Sequence, residues 1–310
     1  MRVLLLANKF PYPAKDGSSI ALMRMIDTLL AQDNKVHLFA LNTLKHKKDT
    51  QLISKEYKND LEVTAIDINT NITASNTLLN LATKQPFHVS RFYKIDVEKQ
   101  LIQVLKEKEF DVVQFEGIFM APYLDAVKKH SKAKTVLRPH NVEHLIWKRL
   151  IKSEKQILKG FYLSIQTERL RKFEMEYSTR FDAILPISAE DGKFFSQFGK
   201  RQLSMPCALE MSSYPDFPST KNNFFHFGAM DWMPNVNGVK WLINEVWPKV
   251  VSEIEEAKLV IAGKNMPEDL LGLNDKRVEV VGEVNDSSEF YKDNGIMLVP
   301  LLSGSGIRIK

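Results

Sequence analysis

The feature that most constrains the fold is a short apolar segment near the N terminus. Residues Val3–Ala7 are all apolar, with no alternation of polar and apolar positions. A strand buried on both faces has this pattern, so the segment predicts a central strand of a parallel sheet. A loop with two prolines follows at residues 8–17, and a helix is expected to begin there, capped by Ser18 or Ser19.

This strand–loop–helix pattern recurs along the chain, which predicts doubly wound parallel sheets. The first half has further predicted strands at Val36–Ala40, Leu61–Ile68, Asp111–Phe115, Lys134–Arg138 and Ala183–Ile187. Predicted helices follow at Val97–Lys108, Tyr123–His130 and about 145–179. After residues 206–222 the pattern restarts, with strands at Phe224–Phe227, Lys258–Ala262, Val278–Val281 and Ile296–Val299 and a helix near Val236–Val251. We therefore expect two α/β domains, 1–205 and 223–310, joined by a linker at 206–222.

Composition excludes several protein classes. Cys207 is the one cysteine among 310 residues, so a disulfide framework and a cysteine-based zinc module are both excluded. No apolar run approaches the roughly 20 residues needed to cross a bilayer, and Lys9 interrupts the first apolar run. These observations predict a cytoplasmic protein.

Charge is distributed unevenly. Residues 1–205 carry a balance of +10 and residues 206–310 a balance of −5. A basic first half favours an anionic partner such as a lipid surface or a phosphorylated substrate. Nucleic acid is not expected, because aromatic residues are not interleaved with the basic ones.

The segment 145–179 predicts peripheral membrane contact, with a solvated helix face packed on the sheet as the equally compatible alternative. Its basic residues alternate with the apolar residues Leu145, Ile146, Trp147, Leu150 and Ile151.

Ligands of open α/β sheets bind beyond the carboxyl ends of the strands. Gly17 and Ser18 follow the first strand at a helix N terminus, where free N–H groups suit a phosphate, although a simple glycine turn and cap is the alternative. No GxGxxG motif is present, which argues against a dinucleotide cofactor. Glu116 ends another predicted strand, where it would position a hydroxyl or stand as a solvated loop carboxylate.

The segment 138–144, which reads RPHNVEH, places many polar residues at a strand exit. The spacing of His140, Glu143 and His144 matches the inverted zinc-peptidase pattern. However, Pro139 places His140 in a loop, and no third ligand motif follows. A polar site without a metal is therefore favoured over zinc, with structural capping as the remaining alternative.

Two glycine-containing turns in the second half fit a nucleotide. Gly228 follows the predicted strand Phe224–Phe227. The last residues form a plausible diphosphate cradle at a prospective helix start, made by Ser305, Gly306, Arg308 and Lys310.

Several segments together resemble the retaining glycosyltransferases of family 4. They are VLLLANKFPYPAKDGSS, RPHNVEH, DAILPIS, HFGAMDWMPNVNGVKWL and VPLLSGSGIRIK. The resemblance implies the GT-B fold, in which two Rossmann-like domains face each other across a cleft. It is strongest to bacterial members that build cell-surface polysaccharide or glycolipid.

The resemblance implies transfer of a sugar from a nucleotide-sugar donor to an acceptor hydroxyl with retention. No metal or other cofactor is required, because the nucleotide sugar is a substrate. His140 and Glu116 would be catalytic. The donor diphosphate would be bound by Gly17, Ser18, Gly228, Ser305, Gly306, Arg308 and Lys310. The acceptor side would be formed by Asn141, Glu143 and His144.

One departure from the family pattern concerns the second domain. The family has a Glu-x7-Glu helix after the glycine-rich turn, whereas this sequence stops at Lys310. We therefore expect an incomplete second domain, a truncated chain and weak or absent transferase activity. A nucleotide-sugar epimerase of the same fold and a non-catalytic nucleotide-binding remnant remain the alternatives.

Overall fold

The computed structural model describes residues 1–14, 16–44, 47–57, 60–71, 73–152, 156–208, 223–285 and 287–302. These residues form two compact units, Met1–Ala208 and residues 223–302. Most of the predicted linker, 209–222, lies outside the described residues, so the linker stays a prediction.

In the described part of the first unit, seven strands form one parallel sheet in the order β3-β2-β1-β4-β5-β6-β7. The strands are β1 Arg2–Ala7, β2 Lys35–Thr43, β3 Leu61–Ile68, β4 Val112–Glu116, β5 Lys134–Arg138, β6 Ala183–Ile184 and β7 Arg201–Gln202. In the interior of the sheet, Leu5 of β1 pairs with Leu38 of β2 and Gln114 of β4. The predicted parallel sheet is confirmed.

Helices cover both faces of this sheet. They are α1 Gly17–Ala31, α2 Gln51–Tyr57, α3 Ala74–Leu81, α4 Phe87–Ser90, α5 Ile95–Glu107, α6 Leu124–His130, α7 Glu143–Ile151, α8 Ile157–Ser178 and α9 Ala189–Phe195, with 3₁₀ turns at Ile118–Tyr123 and Ser196–Phe198. Leu4 and Leu6 of β1 lie in one apolar core, whereas Val3, Leu5 and Ala7 lie in another. Successive side chains of a strand point to opposite faces, so β1 needs apolar residues at every position.

In the first unit, one predicted helix differs from the structure and one strand was not predicted. The helical region expected at 145–179 consists of two helices, α7 and α8, which pack against each other. Strand β7 was not predicted, because its two residues are too short to show a pattern.

The second unit repeats the same arrangement on a smaller scale. Within its described residues, four parallel strands follow the order β10-β9-β8-β11. The strands are β8 Asn223–Phe227, β9 Lys258–Ala262, β10 Val278–Gly282 and β11 Ile296–Met297. The helices are α10 Met233–Trp241, α11 Trp247–Glu253, α12 Glu268–Leu271 and α13 Ser287–Asp293.

The single helix predicted near Val236–Val251 is interrupted by a π-helical turn at Leu242–Val246. Pro248 lies at the start of α11. Its ring lacks an N–H and crowds the carbonyl four residues earlier, which falls within this turn. The wider π-helical hydrogen bonding accommodates that crowding.

Close contacts with backbone carbonyl groups hold the strand ends of the second unit together. The buried His226 of β8 donates from Nδ1 to the Leu298 carbonyl at 2.9 Å, just past β11. Gly263 follows β9 with a φ of +152°, and a Cβ there would lie 1.8 Å from the Gly228 carbonyl oxygen. The ends of β8 and β9 therefore leave no room for a side chain at position 263.

In the part of the chain that the structure describes, no helix combines the length and apolar character required to cross a membrane.

The contact at Gly263 makes a testable prediction. We expect Gly263→Ala to destabilise the second unit by about 1–3 kcal/mol or more, because the clash is with backbone. Urea unfolding followed by tryptophan fluorescence measures this, since three of the four tryptophans, Trp232, Trp241 and Trp247, belong to this unit. Gly272→Ala is the matched control, because its nearest atom would be at an ordinary 3.4 Å. Equal unfolding midpoints for the two variants would contradict the prediction.

Candidate functional site

A buried ion pair lies at the carboxyl edge of the first sheet. Glu116 ends β4, Arg138 ends β5, and the two residues pair in register. Arg138 Nη1 donates to Glu116 Oε2 at 2.9 Å, and each side chain is only 1% exposed. Gln114 Nε2 donates to the other carboxylate oxygen at 2.6 Å. The sequence pattern did not predict a role in the site for Arg138 or for Gln114.

His140 lies on the solvent side of this pair. Its Nε2 is 2.7 Å from Glu116 Oε2, and its side chain is 17% exposed. Because an ionised carboxylate only accepts hydrogen bonds, Nε2 carries the hydrogen. The structure therefore brings together the two residues, Glu116 and His140, that were predicted as catalytic.

The electrostatics of this group keep Glu116 ionised. Burial by itself raises the pKa of Glu116, but the Arg138 guanidinium and the hydrogen bonds from His140 and Gln114 outweigh it and lower the pKa to about 2. These partners therefore stabilise the folded chain at any pH above 4.5, the ordinary pKa of a glutamate. The stabilisation is lost as the pH falls through about 2.

A second buried carboxylate, Glu174 of α8, holds the other end of the 138–144 segment. Its Oε1 accepts from the Glu143 N–H at 3.0 Å, and its Oε2 accepts from the His144 N–H at 3.3 Å. His144 Nδ1 lies 2.5 Å from the same Oε2. Glu174 thus caps the N terminus of α7, where a negative charge is favoured. The sequence did not predict this role of Glu174, because no sequence pattern links Glu174 to His144, 30 residues earlier.

The pKa of Glu143 is shifted in the opposite direction from the pKa of Glu116. Burial and the carboxylates of Glu174 and Asp191 raise the pKa of Glu143 to about 8, against a lowering effect of the hydrogen bond from Asn141. Asn141 Nδ2 donates to Glu143 Oε1 at 3.3 Å. At neutral pH the Glu143 carboxyl is therefore largely protonated and carries a hydrogen that it can donate.

The histidines of the 138–144 segment bind different carboxylates. His140 contacts Glu116, whereas His144 contacts Glu174. Across the described ranges, no group of three or more His, Cys, Asp or Glu residues is arranged to hold a metal ion. The structure therefore does not assemble the zinc-peptidase arrangement from described residues, and the absence of a metal requirement stays a prediction.

The N terminus of α1 is capped by Asp16, so the predicted cap at Ser18 or Ser19 is wrong. Asp16 Oδ1 accepts from the Ser19 N–H at 3.1 Å and from Ser18 Oγ at 2.8 Å. Burial raises the pKa of Asp16, but the Lys9 ammonium and these hydrogen bonds outweigh it and hold the pKa well below its usual range. A Cβ at Gly17 would meet no atom within 4 Å, so the space beside this turn is open.

The remaining predicted donor residues belong to the second half of the chain. Gly228 follows β8, and its N–H donates to the Ala262 carbonyl at 3.1 Å. Ser305, Gly306, Arg308 and Lys310 lie outside the described residues. The assignments of Gly17, Ser18 and all five of these residues to donor binding stay predictions.

The raised pKa of Glu143 predicts a pH-dependent gain in stability for Glu143→Gln. The folded chain holds this proton up to about pH 8, whereas the unfolded chain releases it near 4.5, so folding stability falls as the pH rises between these values. Glutamine does not ionise, so the variant does not lose folding stability as the pH rises. It should therefore be more stable than the unchanged chain at pH 8.5, with little difference at pH 4.

Urea unfolding at several pH values measures this effect. Glu109→Gln is the control, because Glu109 is exposed between α5 and β4. A Glu143→Gln variant whose stability relative to the unchanged chain is the same at pH 4 and pH 8.5 would contradict the prediction.

Comparison with known proteins finds a family model that matches the C-terminal part of the chain. Residues 221–310 match the family model described as glycosyl transferases group 1. Over its whole length the chain is 25% identical to an uncharacterized 44.6 kDa protein in the cps region of Klebsiella pneumoniae and covers 79% of that protein.

Solved structures resemble this chain in fold. Sucrose-phosphate synthase from Thermosynechococcus elongatus has a TM-score of 0.63 at 13% identity, over 99% of this chain and 77% of that one. A mutant of S. aureus TarM in complex with fondaparinux, alpha-GlcNAc-glycerol and UDP has a TM-score of 0.63 at 10% identity, over 96% and 80%. Anabaena HepE in complex with UDP and glucose has a TM-score of 0.52 at 13% identity, over 93% and 71%.

These likenesses show the fold, which is the GT-B type with a smaller second sheet. The group 1 match and this fold together support a glycosyltransferase.

Proposed function

We propose that this chain is a retaining glycosyltransferase of family 4 that moves a sugar from a nucleotide-sugar donor to an acceptor hydroxyl. The observation that carries the proposal is the match of residues 221–310 to the group 1 glycosyl transferases. The UDP bound in the HepE and TarM structures supports a nucleoside diphosphate as the leaving group.

Transfer builds negative charge on the departing diphosphate and positive charge on the sugar, and the enzyme stabilises both. In this proposal His140 contacts the donor sugar. Glu116 is buried behind His140 and bonded to Arg138, His140 and Gln114, so it acts by orienting the imidazole. Arg138 offsets the charge of Glu116 and allows the carboxylate to remain buried.

Both halves of the chain carry turns that we assign to phosphate binding. Gly17 and Ser18 stand at the N terminus of α1, and Gly228 follows β8. By residue type, Ser305 would supply a hydroxyl, Gly306 would permit a close approach of the backbone, and Arg308 and Lys310 would supply two cations. Cations and helix N termini offset phosphate charge without a metal ion, and we therefore propose metal-independent transfer.

The acceptor is assigned to Asn141, Glu143 and His144. Protonated Glu143 is a hydrogen-bond donor to an acceptor hydroxyl, and Asn141 orients its carboxyl group. His144 is only 6% exposed and bonded to Glu174, so it fixes the position of α7 beneath these groups. We propose cell-surface polysaccharide or glycolipid synthesis as the process, at the inner face of the membrane.

The first test is nucleotide binding by calorimetry in EDTA. We expect at least one of UDP, GDP and ADP to bind, because the proposed site uses cations and helix N termini in place of a metal. A hundredfold excess over Kd should also stabilise the fold by about 2.7 kcal/mol. Binding that appears only after Mg²⁺ is added would contradict metal independence, and no binding of any of the three would contradict the donor assignment.

The second test replaces His140, which the proposal places against the donor sugar. We expect His140→Ala to slow consumption of a bound nucleotide sugar by about 100-fold, the size of effect typical when one preorganised polar contact to the transition state is removed. His130→Ala is the control, because His130 ends α6 at the opposite, amino edge of the sheet. Unchanged turnover in a folded His140→Ala variant would contradict the assignment.

Product analysis separates the alternatives. A transferase releases the nucleoside diphosphate and passes the sugar to an acceptor or to water. An epimerase returns an isomeric nucleotide sugar, and a binding remnant leaves the donor unchanged. The anomeric configuration of the product, read by NMR, tests retention.

A further inference from the structure

The first turns of α8 expose three large apolar side chains, Ile157, Leu158 and Phe161. Their exposed fractions are 87%, 86% and 68%. Phe161 lies one helical turn after both Ile157 and Leu158, at the i+4 and i+3 positions, so its side chain neighbours both of them. We call these three residues the α8 patch. Scattered apolar residues are ordinary on a surface, but a contiguous apolar group marks an interaction site.

The apolar residues that sequence analysis assigned to membrane contact do not form this patch. Ile146 is buried at 6% exposure. Trp147 packs against the first core, and its ring centroid lies 4.0 Å from that of His88. Leu145 packs against the small cluster of Val142, Ile184 and Phe195. Leu145, Ile146 and Trp147 therefore pack into the protein, and the contact of the 145–179 segment with a membrane stays a prediction.

Basic residues lie beside the α8 patch, at the end of α7 and in the first turn of α8. Lys148, Arg149 and Lys152 are exposed on and just after α7, which packs against α8, and Lys159 is exposed within the patch itself. Residues 157–167 contain no acidic residue. Apolar side chains beside a group of cations suit the surface of an anionic bilayer, where the apolar groups enter the leaflet and the cations meet phosphates.

The remainder of α8 anchors the patch to the fold. Gln166 is fully buried, accepts from the Phe87 N–H at 2.9 Å and donates to Asn80 Oδ1 at 2.9 Å. Leu170 and Phe173 lie in the first core. The patch therefore projects from a helix whose second half is held in the protein interior.

We propose that the α8 patch inserts into an anionic lipid leaflet and that the surrounding cations contact the headgroup phosphates. The proposal deepens the peripheral membrane location within the proposed function. A second copy of this chain is a poorer partner than a lipid surface, because its own patch would bring the same cations into contact. Like charges in direct contact oppose association.

Vesicle flotation tests the proposal with the whole 310-residue chain. We expect the chain to float with vesicles of phosphatidylcholine and phosphatidylglycerol, and to float much less with phosphatidylcholine alone or at 0.5 M salt. Replacing the patch by Ile157→Ser, Leu158→Ser and Phe161→Ser together should reduce lipid partitioning at least tenfold. Lys152→Glu with Lys159→Glu should reduce it on anionic vesicles.

The matched control replaces Leu203 and Leu271, which are 62% and 52% exposed on other parts of the fold, by serine. Circular dichroism confirms that each variant is folded. Equal flotation with both vesicle types, or undiminished flotation of the triple variant, overturns the proposal. A triple variant that loses only self-association in light scattering also overturns it and assigns the patch to a contact between copies. The flotation readout requires no donor, so its failure leaves the proposed transfer reaction standing.

Discussion

A carboxylate without access to water determines the arrangement of the first unit's candidate site. Glu116 is ionised and buried, and an uncompensated charge there would be costly, so Arg138 must lie beside it. Removing one partner of such a buried pair typically costs about 3–5 kcal/mol. The pairing is possible because β4 and β5 are parallel neighbours that end at the same edge, with the two residues in register. The position of His140 depends on this pair.

The two carboxyl groups of this site, Glu116 and Glu143, have different protonation states. Glu116 remains charged because Arg138, His140 and Gln114 all donate to it. Glu143 remains largely protonated because burial, together with the nearby carboxylates of Glu174 and Asp191, raises its pKa. The segment therefore presents a hydrogen-bonded imidazole and a neutral acid a few residues apart, supported by buried groups on β4, β5 and α8.

The sequence predicted the fold more fully than the site. The apolar run of β1 identified the parallel sheet, because two cores cover its two faces. The polar residues after β4 and β5 were selected because strands in such sheets carry ligands at their carboxyl ends. Glu174 could not be selected, since only folding brings α8 to the start of α7. The π-helical turn before Pro248 follows from the proline, which the apolar periodicity of 236–251 does not record, and that periodicity also did not separate α7 from α8.

Helix α8 carries both the α8 patch, near its start, and Glu174, four residues before its end. Thirteen residues separate Phe161 from Glu174, which corresponds to about 20 Å along a helix axis. Because Glu174 caps α7 directly after the loop that contains His140 and Asn141, α8 sets the distance between the exposed patch and that loop. Its tilt against a lipid surface would set the height of the loop above that surface, from close contact to roughly 20 Å. An acceptor attached to a lipid would need a headgroup or carrier long enough to reach that height.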